Sequence, residues 1–220
     1  DPASIADGKL ELTAPNGTCV NLIEVDPPLN IPKVKQNFVL SKMSDTNQWN
    51  EGRAGMWYRD LIPDRQGGYV VASHIRILDG GPVPDYVHYH KILFQMIYCY
   101  KGWARLVYED QGEPFIIKEG DCVLQPPQIR HQVLESSPGM EVIELTCPAD
   151  HETCVDHEIK LPTSSVDPER LFNGQHFIRD EFAKAEWKPW RMEGFEARDI
   201  GIASATDGLA GVWVARPVGQ

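Results

Sequence analysis

His88-Tyr89-His90 and, farther along, Pro126-Pro127-Gln128-Ile129-Arg130-His131 hold the side chains of this sequence best suited to chemistry. Two histidines at i and i+2 on an extended segment project to one face, because side chains alternate across a strand. A third histidine on a neighbouring strand closes a facial three-nitrogen site. Such a site suits Fe, Zn, Cu or Ni and leaves coordination positions open for substrate or water. Gln95 follows on the same stretch, where its amide oxygen is a neutral and weaker ligand than a carboxylate. It is expected either as a weak fourth ligand or as a hydrogen-bond partner for whatever binds. A metal without a carboxylate ligand keeps more positive charge. That favours an anionic, bidentate substrate such as an enolate, a phenolate ortho to another oxygen, or a carboxylate.

The flanking residues extend the pattern. The stretch from Gly81 through His88, His90 and Gln95 to Gly102 resembles the first signature of the cupin superfamily. Gly120-Asp121, Pro126-Pro127 and the closing His131 resemble the second. The chain departs from many cupins in carrying Gln95 where they place a glutamate ligand. The resemblance implies an all-β fold, an antiparallel cupin β-barrel (a double-stranded β-helix or jelly roll) with few short helices. It also implies His88, His90 and His131, with Gln95, around one divalent transition metal. Fe(II) comes first, with Zn, Ni or Mn as alternatives. Three-histidine cupins similar to this site include the gentisate and the diketone-cleaving dioxygenases. The activity implied is a mononuclear non-haem iron dioxygenase that takes a small chelating anion and O2 and cuts a carbon–carbon bond. Two other readings stay open. One is a Zn-, Ni- or Mn-dependent lyase, isomerase or hydrolase with Tyr98 as a base, and the other a non-catalytic module that binds a small ligand. Cupin barrels commonly pair edge to edge, which implies a homodimer.

The elements that must position these residues are short. Between Met56 and Leu145, extended segments alternate with turns such as Asp79-Gly80-Gly81, Glu119-Gly120-Asp121 and Ser136-Ser137-Pro138-Gly139, the pattern of an antiparallel barrel. Asp110-Gln111-Gly112 suits a hairpin tip between 104–108 and 114–117. Alternation predicts that Gln95, Ile97 and Cys99 share a face and that Val133 follows His131 inward. Ile97, Val133, Phe94 or Met96 then supply a dry wall. Candidates to fix a carboxylate or phenolate are Arg59, Arg76, Arg105, Tyr98 and Tyr100, with Gln95, Tyr98 and Arg76 as the proposed catalytic set. Residues 1–48, broken by Pro27-Pro28 and Pro32, are expected as an N-terminal arm of short strands, and 49–150 as the complete barrel. Over 151–176 a linker is expected, with a short helix at Ser165–Phe172 capped by Ser165 and started by Pro168. An internal repeat matches Trp49 to Arg59-Asp60 and Gly68 to Arg76 with Trp190 to Arg198-Asp199 and Gly208 to Arg216. Residues 177–220 are therefore expected to begin a second, incomplete cupin unit.

Composition narrows the classes further. Lys and Arg total 21 against 32 Asp and Glu, a net charge of −11 that argues against nucleic acid or an anionic membrane as partner. No apolar run is long enough for a transmembrane helix, and Asp1-Pro2-Ala3-Ser4 carries no signal-peptide pattern, though a removed leader stays open. The missing initiator Met points to a processed or trimmed chain. Five cysteines, an odd number, read as reduced thiols in a cytoplasmic protein. Cys147, His151, Cys154 and His157 match no common zinc module, and their acidic neighbours suggest a polar loop.

Overall fold

The computed structural model describes residues 4–6, 9–23, 28–42, 44 and 49–219. The chain divides into two compact units, Asp1–Asn30 and Ile31–Gln220. The first is a three-stranded antiparallel meander of β1 (Ser4–Ala6), β2 (Lys9–Thr13) and β3 (Cys19–Ile23).

The second unit carries the histidines. In chain order its strands are β4 (Asn50–Glu51), β5 (Trp57–Asp60), β6 (Val71–Ile77), β7 (Gly81–Pro82), β8 (His88–His90) and β9 (Phe94–Lys101). Next come β10 (Trp103–Tyr108), β11 (Phe115–Lys118), β12 (Cys122–Leu124), β13 (His131–Ser136), β14 (Met140–Cys147) and β15 (Thr153–Val155). The last are β16 (Leu171–Phe172), β17 (Gln175–His176), β18 (Ile178–Asp180), β19 (Lys188–Pro189), β20 (Phe195–Asp199) and β21 (Trp213–Pro217). β-Branched and aromatic residues are frequent in β6, β9 and β10, which favours extended backbone on a half-buried pleat.

Two antiparallel sheets face each other. One runs β11-β10-β13-β8-β15 with β7 beside β13, and the other β18-β12-β9-β14-β6-β5-β4. Between them lies a core that includes Ile75, Cys99, Leu106, Tyr108, Ile117 and Val142. A second apolar cluster forms on the outer face of the second sheet, where Phe94, Met96, Cys122 and Leu124 pack against Ile200, Ile202 and Ala205. The outer face of this sheet is therefore covered by the C-terminal segment around β9 and β12.

Turn chemistry follows the expected hairpin: β10 pairs with β11 around Asp110 (φ 58) and Gly112 (φ 80). Gly120 adopts φ 91, and a Cβ there would lie 2.8 Å from Phe182, so no other residue fits without displacement. Its neighbour Asp121 accepts from the backbone N–H groups of Lys118 and Phe182, at 2.8 Å each.

The expected helix over 165–172 does not form. Ser165 Oγ donates to Asp110 Oδ1, the Asp167 N–H donates to Asp110 O, and Arg170 bridges Glu109 and Asp110. These bonds to the hairpin tip take up the groups that would cap a helix, and Leu171–Phe172 then pairs with Gln175–His176 through Asn173 and Gly174. The tertiary contacts override the capping signal.

Residues 187–217 adopt the same strand pairing as 49–77. In β5 Tyr58 lies between Asn50 and Ile75, and Arg59 faces His74; in β20 Ala197 lies between Lys188 and Ala215, and Arg198 faces Val214. The Asp60 carboxylate accepts from the Ile62 N–H and Asp199 from the Gly201 N–H. Arg76 lies over Trp49 at 4.0 Å and Arg216 over Trp187 at 3.7 Å. The register therefore makes Trp187, not Trp190, the counterpart of Trp49.

Candidate metal centre

His88 and His131 are directly opposite each other on β8 and β13, and His90 lies two residues along β8. All three come from one sheet. Ligand nitrogens of the three rings lie within 4.8 Å of one another, the one such His/Cys/Asp/Glu group among the described residues. The two-residue alternation expected from the sequence thus brings the trio together.

Hydrogen bonds fix how the rings point. The Nδ1 of His88 contacts Tyr86 O at 2.8 Å, that of His131 contacts Ile129 O at 3.0 Å, and that of His90 contacts Thr153 Oγ1 at 2.9 Å. Backbone carbonyls only accept, so Nδ1 of His131 carries the proton, and the Tyr86 carbonyl, closer to His88 Nδ1 than Arg53 Nη1 at 3.3 Å, gives His88 the same tautomer. The surroundings of Nε2 agree. An Arg53 guanidinium N–H reaches His88 Nε2 at 3.0 Å, and the Gln125 amide N–H faces His131 Nε2 at 3.3 Å. Both groups are donors, pointing at the atoms that a metal would take. The donor set therefore fits a divalent transition metal held by three neutral imidazoles with engaged outer nitrogens.

Burial keeps the rings neutral. It lowers the His88 pKa, helped by the Arg53 charge, lowers His90 to about 2, and holds His131 well below the ordinary value. Neutral imidazole is the form that ligates.

Asp85 anchors this arrangement. One of its carboxylate oxygens binds Arg53 at 2.5 Å and the other accepts from the Val133 N–H at 3.0 Å. The segment before β8 is thereby pinned to β13 next to the histidines.

The trio opens onto a cavity of about 440 Å³ between the sheets. Ile97 and Val133 line it as expected, together with Ile75, Leu106, Met140 and Val142. Phe94 and Met96 do not, since they occupy the opposite face of β9, in the outer cluster. Gln95 is 1% exposed, and its Oε1 accepts from Gln125 Nε2 at 3.0 Å. Gln125 in turn accepts from the Tyr108 hydroxyl. Gln95 thus sits one hydrogen bond behind Gln125, which faces His131.

Two members of the expected catalytic set lie elsewhere. Tyr98 has the parity of Phe94 and Met96, so it packs against the outer cluster, away from the cavity. Arg76 alternates with the cavity-lining Ser73, Ile75 and Ile77 and points outward, onto Trp49. Of the other expected anion-binding residues, Arg59 donates to Lys42 O, Arg105 pairs with Glu135, and Tyr100 is exposed. None lines the cavity.

Residues outside the expected catalytic set line the cavity instead. Glu144 on β14 faces the cavity from the sheet opposite the histidines. Burial pushes it up to about 7, against the pull of Arg53 and a hydrogen bond from Gln95. Tyr58, pushed up to about 12 chiefly by burial, lines the same cavity. His151 stands beside His90 with ring centroids 5.5 Å apart. Its sequence neighbours do not assemble with it: Cys147 is buried in the outer cluster, and His157 meets Tyr86.

These features define the chain as having the cupin fold, with a three-histidine group in the barrel that could hold a metal ion. No protein-family model and no curated protein matches the sequence. Among solved structures it is similar to the formate complex of Lactobacillus farciminis oxalate decarboxylase, at 14% identity and TM-score 0.53, covering 82% of this chain and 65% of that one. A Bacillus subtilis oxalate decarboxylase variant gives 16% identity and TM-score 0.50, covering 82% of this chain and 63% of that one. An RmlC-like cupin from Shewanella frigidimarina is 20% identical, with TM-score 0.42, covering 52% of this chain and 95% of that one. The chain thus spans just under two thirds of the length of either decarboxylase. Among the described residues, no helix is long and apolar enough to cross a membrane.

Proposed function

We propose that this protein is a mononuclear iron dioxygenase in which His88, His90 and His131 hold Fe(II) and a small, anionic, chelating substrate meets O2. The observation that carries this reading is the set of three imidazoles, kept neutral by burial, whose ligand nitrogens lie within 4.8 Å of one another beside a largely apolar cavity. When bound, the metal supplies open coordination positions and redox chemistry with O2. The protein's own groups do the rest. The Nδ1 contacts hold the ring orientations, Gln125 offers an amide N–H next to His131, and Gln95 fixes Gln125. Ile97, Val133 and Val142 keep water from the reacting atoms, which strengthens every electrostatic contact inside.

One observation favours a second reading, a non-oxidative lyase or decarboxylase. Glu144 has a pKa raised to about 7 within the cavity and can hold or release a proton near neutral pH. The Bacillus subtilis oxalate decarboxylase, whose Mn(II) centres are described, has the same fold at 17% identity. Metal analysis of protein purified without added metal, with oxygen-electrode traces against diketones, gentisate and salicylate, separates the two. Bound iron with substrate-dependent O2 uptake is the expected result. Manganese or zinc with no uptake overturns the dioxygenase reading.

We further infer a homodimer, and that residues 177–220 are the opening strands of a second cupin unit. The shared pairing of 187–217 and 49–77 supports the latter.

A further inference from the structure

The metal ligands all lie on one sheet, yet the cavity they open onto extends across to the other. About 440 Å³ is the scale of sites that enclose a whole organic ligand. Its wall is chiefly aliphatic. Ile75, Ile77, Ile97, Leu106, Ile117 and Val142 come from strands of both sheets and, with their apolar neighbours, supply most of its surface, while the polar side chains beyond the histidine trio include Arg53, Tyr58, Ser73 and Glu144. A two-carbon diacid coordinated at the histidines would leave most of this volume unfilled. Aliphatic walls offer water no hydrogen-bond partners, and a void forfeits the contacts that a ligand would make.

We propose that the substrate carries an apolar body, of the size of an aromatic ring or larger, attached to its chelating head. The head sits at His88, His90 and His131, and the body lies between the sheets along Ile97 and Val142. This rests on the metal-site reading for the position of the head. The size and character of the cavity carry the body independently.

Hydroxamates test it, because they chelate iron, manganese and zinc alike and differ only in the attached group. Benzohydroxamate is expected to bind the metal-loaded protein at least thirtyfold more tightly than acetohydroxamate, which is about 2 kcal/mol at 1.4 kcal/mol per tenfold. Ile97→Phe and Val142→Phe, two independent ways of filling the cavity, should abolish that preference. Metal content should stay unchanged. Equal affinity of the two hydroxamates for the wild-type protein overturns the proposal. A second arm withholds metal and uses 4-ethylphenol, which has the body without the chelating head. It should raise the melting temperature of the wild-type protein and not of Ile97→Phe. If metal fails to load but 4-ethylphenol protects, the metal-site reading fails and the cavity assignment stands. If metal loads but neither benzohydroxamate preference nor 4-ethylphenol protection is seen, the cavity assignment alone fails.

Discussion

Glu144 is the one carboxylate among the described residues that line the cavity, and its burial sets up a pH dependence of definite sign. Burial lifts its pKa from the ordinary 4.5 of a glutamate to about 7, so the folded state holds a proton that the unfolded state has released. The associated stability is fully present below pH 4.5 and is lost as pH rises through about 7. Glu144→Gln stays neutral throughout. In metal-free protein it should match the wild type near pH 4 and exceed it by about 3 kcal/mol at pH 8, by urea unfolding. A difference that does not grow with pH would contradict a protonated Glu144. The histidines have the opposite sign, because their folded pKa values are depressed. They cost stability as pH falls below about 6.5, equally in both proteins, and cancel from the comparison. Arg53 makes a second case. Its guanidinium lies 3.0 Å from His88 Nε2, where its charge opposes an incoming cation. Arg53→Ala should tighten Mn(II) binding at least tenfold, read by calorimetry, and weaker binding would mean that Arg53 is needed to hold Asp85 and His88 in place.

Strand β15 serves the site through one hydroxyl. Thr153 lies opposite His90 and its Oγ1 takes the ring Nδ1 at 2.9 Å, which keeps Nε2 turned inward. Thr153→Val preserves shape and removes that partner. It should weaken metal binding by about 10- to 100-fold while leaving unfolding midpoints of the metal-free protein nearly unchanged; a large midpoint loss would make the residue structural instead. At this scale the limits of the sequence are also visible. The i, i+2 spacing of His88 and His90 was legible because strand alternation is local, and so was the hairpin at Asp110. Tyr98 and Arg76 were misplaced by one residue of parity: each alternates with true cavity residues, Ile97 beside Tyr98 and Ile75 beside Arg76. Glu144 was not legible, since nothing local separates it from Glu141, which lies on the outer parity and meets His74 at 2.7 Å. The helix signal at Ser165–Phe172 failed for a non-local reason, the competing hydrogen bonds to Glu109 and Asp110.

Across the whole second unit, the C-terminal segment is tied to the barrel by a charge. Arg198 is 1% exposed, donates to the Gly120 carbonyl, and places Nη1 2.7 Å from an oxygen of Asp180, in ion-pair contact without hydrogen-bond alignment. Asp180 lies on β18, which pairs with β12, and its pKa is raised by burial despite the Arg198 charge. Arg198 thus joins β20 to β18 and to the Gly120-Asp121 turn. The repeat noted in the sequence places Arg59, also buried, at the corresponding point of β5, but only the fold reveals what Arg198 is paired with. Removing one partner of a buried ion pair is costly because the other charge stays behind, whereas replacing both with apolar groups is often tolerated. Because the Asp180 side chain keeps 17% exposure, Arg198→Leu should destabilise the protein by about 1–3 kcal/mol, and Arg198→Leu combined with Asp180→Leu should recover more than half of that loss. Urea denaturation of the two variants at pH 8, where an unpaired Asp180 must either ionise or bind a proton against the solution pH, gives the largest contrast. A double variant no more stable than the single one would mean that the Gly120 contact, and not the ion pair, fastens the C-terminal segment to the barrel.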